Sequence, residues 1–86
     1  MTIPVTLYAR PDCHLCEEAR EAILALSGAA PRFELHEIDI DRDERLLLRY
    51  LERIPVVEVG GRVVSELEFD RDAFARALAE MHTVPS

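Results

Sequence analysis

Two thiols three residues apart, in Cys13-His14-Leu15-Cys16, are the reactive grouping of this chain. Their chemistry depends on what holds them. The preceding stretch, Thr2 to Ala9, reads Thr-Ile-Pro-Val-Thr-Leu-Tyr-Ala, whose β-branched and aromatic content favours a strand, with Pro4 near its beginning. The stretch that follows sets Cys16, Ala19, Ala22, Ile23 and Leu26 at spacings of three and four, one face of a helix from about His14 to Ser27, with Gly28 as its stop. Cys13 therefore falls at a helix N-terminus, where unpaired N–H groups and the macrodipole favour an anion. A thiol there is drawn from a free pKa near ~8.5 toward the ~3.5–7.5 range of such motifs. Arg10 and a protonated His14 add positive potential, whereas Asp12, Glu17 and Glu18 oppose it, so a moderate depression is expected. Cys16, one turn inward on the same face, lies close enough to bridge to Cys13. The pair then divides its work: Cys13 attacks a substrate disulfide, and Cys16 resolves the adduct.

Several different roles for two cysteines compete with this one. A structural disulfide does not persist in a reducing compartment. Two incidental core cysteines would leave the placement at a strand-to-helix junction without a reason. A closed zinc site wants about four ligands, and beyond the thiols the chain offers His14, His36 and His82. No metal site within a single chain is expected. An iron–sulfur or metal carrier using the two cysteines across a dimer stays open, as does an adaptor in which they are idle.

The remaining elements follow from pattern and punctuation. Phe33 to Ile40 has strand character, and its alternation slips between Leu35 and Ile38, which reads as a bulge or as a strand with two apolar faces. Asp41-Arg42-Asp43 can cap a second helix carrying Leu46, Leu47, Tyr50 and Leu51. Ile54 to Val59 and Arg62 to Ser65 flank Gly60-Gly61, the signal of a tight hairpin. Asp70 opens a last helix with Phe74, Ala77, Leu78 and Met81 on one stripe. The charge run from Asp39 to Arg45 reads as a solvated loop, His36 as a surface residue, and Tyr8 and Phe69 as packing residues. His14 is read equally well as a tuner of Cys13 or as a solvated helix residue. Pro55 either starts an edge strand or forms a cis-proline loop beside the cysteines.

The order is β-α-β-α-β-β-α, an α/β chain folded as a single domain over residues 1–86. A right-handed crossover makes the first two strands parallel, and the hairpin completes a mixed four-stranded sheet with helices on both faces. With 86 residues, one modest core is available. Ten Lys and Arg against 17 Asp and Glu leave a net charge of −7, which speaks against nucleic acid and anionic membranes as partners. No apolar run approaches the ~18 residues of a membrane span, and the N-terminus lacks a signal-peptide layout. A cytoplasmic monomer is expected.

The whole arrangement resembles the thioredoxin fold, and most closely small glutaredoxin-like proteins. The residues that carry the likeness are Tyr8-x-Arg10-x-x-Cys13-x-x-Cys16 and the later Pro55-Val56-Val57, within a likeness from about Ile3 to Met81. Cys13-His14-Leu15-Cys16-Glu17-Glu18-Ala19 is similar to a compact group with a Cys-His-Leu-Cys motif. The resemblance implies a thiol–disulfide oxidoreductase acting on protein or small-molecule disulfides, with Cys13 as nucleophile, Cys16 as resolving cysteine and Pro55 as a cis-proline. It also implies that Arg10, His14, Leu15, Ile54 and Pro55 meet the substrate, the Ile54 backbone pairing with the substrate chain. No bound cofactor is implied; the reductant would be glutathione or a separate reductase. Two departures argue against glutathione. His14-Leu15 replaces the usual Pro-Tyr, and Glu66, Glu68 and Asp70 stand where a Gly-Gly pair would hold the tripeptide.

Overall fold

A computed structural model describes residues 2–28 and 31–83, with the side chains of His82 and Thr83 outside the description. The chain runs β1 (Ile3–Ala9), α1 (His14–Ala25), β2 (Phe33–Asp39), a 3₁₀ turn (Ile40–Arg42), α2 (Glu44–Tyr50), β3 (Val56–Val59), β4 (Arg62–Glu66) and α3 (Arg71–Thr83). The strands form one sheet in the order β2-β1-β3-β4. β1 is parallel to β2 and antiparallel to β3, which is antiparallel to β4. This is the thioredoxin-like fold expected from the element order.

Strand alternation sorts the side chains into two cores. Ile3, Val5 and Leu7 of β1 join Val57 and Val59 of β3 on one face, under Ala19 and Ile23 of α1 and Phe74, Ala77 and Leu78 of α3. The other face carries a smaller cluster of Ile40, Tyr50 and Val56, with Tyr8, Leu46, Leu47 and Ile54 packed around it. Each large side chain buried in this way is worth about 1.5–3 kcal/mol. Two acidic caps fix where helices begin: Asp43 accepts the Arg45 N–H at 2.9 Å, and Asp70 accepts the Ala73 N–H at 3.0 Å.

Several boundaries differ from the pattern reading, each for a tertiary reason. β2 pairs with β1 without a register break, so the slip between Leu35 and Ile38 is a strand with two apolar faces and not a bulge. The irregularity lies in the hairpin instead, between Val57 and Glu58. Ile40 leaves the strand for the 3₁₀ turn and is fully buried there, so the run from Asp39 to Arg45 is not wholly solvated. α2 is only seven residues long, and Leu51 caps it from the surface without joining the core. The hairpin turn is as expected: Gly60 and Gly61 have φ of 60° and 86°. Gly60 is also covered by Met81, whose Cε would lie 2.6 Å from any added Cβ.

Candidate active site

The register of the sheet brings three separate pieces of chain to one end. Tyr8, near the end of β1, pairs with Val56 at the start of β3, and Val56 pairs with Glu66 at the end of β4. Ala9 pairs with Asp39 at the end of β2. The Arg10–Cys13 segment, the Ile54-Pro55 peptide and the end of β4 therefore emerge from the same edge of the molecule. Ile54-Pro55 is cis. Because β3 lies inside the sheet, Pro55 does not open an edge strand.

Pro11 and Asp12 turn the chain out of β1, with Asp12 at φ 61°, a conformation that Asp tolerates better than most residues. Cys13 then takes extended backbone angles as the N-cap of α1. Its carbonyl accepts the Glu17 N–H at 3.0 Å, and its Sγ accepts the Cys16 N–H at 3.2 Å. The sulfur thus occupies the position of a capping oxygen, against the positive end of the helix. Cys13 and Cys16 are joined as a disulfide with Cα atoms 5.2 Å apart. Cys16 is 3% exposed and packed into the protein, whereas Cys13 is half-buried. Leu15, at 45% exposure, stands out beside them. His14 points into solvent with its Nε2 3.4 Å from Glu18.

Polar ties invisible to local pattern surround this edge. Arg10 donates from Nε to Asp41 Oδ1 at 2.7 Å. Arg53, two residues before Pro55, forks onto Glu66, with Nε 2.9 Å from Oε1 and Nη2 on Oε2. Through this contact Arg53 holds the Glu66 carboxyl below the usual carboxylate range, and Glu66 in turn raises the Arg53 guanidinium. The Arg53 carbonyl also accepts the Leu67 N–H at 2.9 Å, so the loop before Pro55 is tied to the last residue of β4 and to the residue after it. The Ile54 N–H is engaged by the Tyr50 carbonyl at 3.0 Å. Arg53 lies over the Tyr50 ring at 5.3 Å, and Tyr50 stacks on Tyr8 at 4.5 Å. Burial first, and the neighbouring Glu58 second, push the Tyr8 hydroxyl up to about 12. Tyr8 is therefore more than packing: its hydroxyl donates to Glu58 at 3.3 Å. His36 stays on the surface near Glu34.

Comparison with known proteins agrees with this geometry. The family described as glutaredoxin-like domain (DUF836) matches residues 4–79. The chain belongs to that family. A glutaredoxin-like protein of Dictyostelium discoideum is 29% identical over 76 residues, covering 83% of this chain and 70% of that one. Among solved structures, protein Ne2328 from Nitrosomonas europaea superposes with a TM-score of 0.78 at 30% identity, covering 91% of this chain and 93% of its own. A protein from X. campestris gives 0.66 at 35% identity, with coverage of 94% and 99%. A thioredoxin from Halobacterium salinarum shares the fold at 0.67 and 18% identity, covering 98% of this chain and 78% of its own. No helix among the described residues is long and apolar enough to cross a membrane.

Proposed function

We propose that the chain is a thiol–disulfide oxidoreductase that cycles between a Cys13/Cys16 dithiol and the disulfide. The observation that carries this reading is the asymmetry of the two sulfurs: Cys13 caps the helix and is only partly buried, while Cys16 is 3% exposed one turn inward. In the reduced protein the N-cap position favours the Cys13 thiolate, the form that attacks. Cys13 Sγ attacks one sulfur of a substrate disulfide. That S–S bond breaks, and half of the substrate leaves as a thiolate that takes a proton from solvent. The Cys16 thiol then loses its proton and attacks Cys13 Sγ, which frees the second half and leaves the Cys13–Cys16 disulfide. Two electrons pass to the substrate, and an external thiol donor must return them.

Arg10, His14, Leu15 and Ile54 are proposed as the substrate-facing residues around this step; Pro55, named with them from the sequence, is fully buried, and its cis peptide is proposed to present Ile54. The Ile54 carbonyl would accept from a substrate chain laid alongside, in the manner of strand addition. Cys16→Ser tests the scheme. The reduced variant, mixed with a disulfide peptide, should accumulate a mixed disulfide at Cys13 visible by mass, and Cys13→Ser should form none. An absence of adduct in both variants overturns exchange. Stoichiometric iron or zinc bound at the two sulfurs of the purified chain would favour the carrier reading instead.

A further inference from the structure

The arginines nearest the cysteines along the chain, Arg10 and Arg20, and Arg53 just before Pro55 are already paired with carboxylates before any substrate arrives. Arg10, three residues before Cys13, is held by Asp41 at 2.7 Å on the β1–β2 side of the sheet edge. It also lines a cleft of about 300 Å³ with Ala9, Pro11, Glu37, Ile38 and Asp39. Arg53, two residues before Pro55, is held by both oxygens of Glu66 on the β3–β4 side. The two pairs thus flank the reacting segments from opposite directions. His14 Nε2 lies 3.4 Å from Glu18, and Arg71 lies between Asp70 and Asp72 in the chain. Asp12 and Glu17, on either side of the cysteines, add negative charge.

An anionic disulfide approaching this edge gains little. At either guanidinium it meets a charge already matched by a carboxylate, and Asp41 or Glu66 beside that guanidinium repels it at short range. A neutral or cationic disulfide meets no such opposition. Specificity of this kind comes from a repulsive element against the wrong ligand, not from a contact with the right one.

We propose that Asp41 and Glu66 set the charge specificity of the disulfide site, by occupying Arg10 and Arg53, against anionic disulfides and in favour of neutral and cationic ones. This rests on the exchange reading above and adds its substrate class. Neither carboxylate touches the reacting sulfurs; each acts through its arginine.

The test measures oxidation of the reduced protein at low ionic strength by three small disulfides of similar length. These are dithiodipropionate (a dianion), bis(2-hydroxyethyl) disulfide (neutral) and cystamine (a dication). In the double variant Asp41→Asn with Glu66→Gln, the rate constant with the dianion should rise about threefold to tenfold relative to the neutral disulfide, and that with the dication should fall. The differences should shrink at high salt. Adding Arg10→Gln and Arg53→Gln should remove the gain. Glu21→Gln with Glu34→Gln, the same charge change at more distant positions, should leave the ratios near wild type.

Equal ratios for all three disulfides would mean that the variant altered only the Cys13 thiolate, and would overturn the assignment. An equal effect from the distant pair of variants would overturn it as well. Oxidation of wild type by the neutral disulfide shows that exchange operates, so a flat charge dependence then sinks the specificity alone. If no disulfide oxidises wild type, exchange itself fails and the specificity with it.

Discussion

The two faces of the sheet are built from different forces. Under α1 and α3, ten buried apolar residues among those described form one cluster, in which Phe74 makes edge contact with Phe33 at 5.4 Å and tilted contact with Phe69 at 5.3 Å. Under α2 the buried cluster among the described residues is the smaller one of Ile40, Tyr50 and Val56. There the packing gives way to a chain of polar and aromatic ties that runs from Glu58 through Tyr8 and Tyr50 to Arg53 and Glu66. Apolar burial is non-directional and holds the domain together. Hydrogen bonds and ring contacts are directional, and they converge on the segment that carries Ile54-Pro55. One face supplies stability and the other supplies placement.

The contrast breaks if changes on the two faces cost alike. Phe74→Ala, which empties a fully buried ring site, should cost about 3–5 kcal/mol in urea unfolding. Leu48→Ala, at 79% exposure on α2, should stay within ~0.5 kcal/mol. A comparable loss from both would end the distinction. Tyr8→Phe removes one hydrogen bond and should cost about 0.5–1.5 kcal/mol, while slowing mixed-disulfide formation by Cys16→Ser only if the α2 face does position the Pro55 loop. Alkaline titration sharpens the point. The Tyr8 hydroxyl has a folded value of about 12 against an ordinary 10.0, so the protonated form is favoured by folding. Its contribution is complete below pH 10.0 and is lost as pH rises toward about 12, which absorbance of the phenolate should follow. The smallest effect is expected at Glu66, whose carboxyl is depressed by Arg53. The contribution of that pair is present above the ordinary carboxylate pKa and is lost as pH falls through the depressed one. A carboxyl NMR titration should show the Glu66 midpoint move back up in Arg53→Met.

Much of the site was legible in the order of residues, because its central device is local. A thiol on the last residue before a helix needs only the helix to be placed against its dipole, and the spacing of Cys16, Ala19 and Ile23 placed it. Asp70 as a cap and Gly60-Gly61 as a turn are read the same way, from steric and hydrogen-bonding preferences spanning a few residues. The misreadings fell where a distant partner decides. Ile40 is apolar within a charged run, and its burial depends on Tyr50 and Val56 arriving over it. Tyr8 as packing was incomplete because Glu58 lies fifty positions away.

Composition and short-range pattern alone settled which segments are strands and helices, where the two thiols sit, and that the chain carries excess negative charge. Only the folded chain decided the strand order, the cis peptide at Pro55, and the pairing of Arg10 with Asp41 and of Arg53 with Glu66. Secondary structure arises from contacts between near neighbours, whose geometry the residue types constrain directly. Ion pairs and sheet register across 13 to 50 positions depend on where the backbone returns, and that is a property of the whole core.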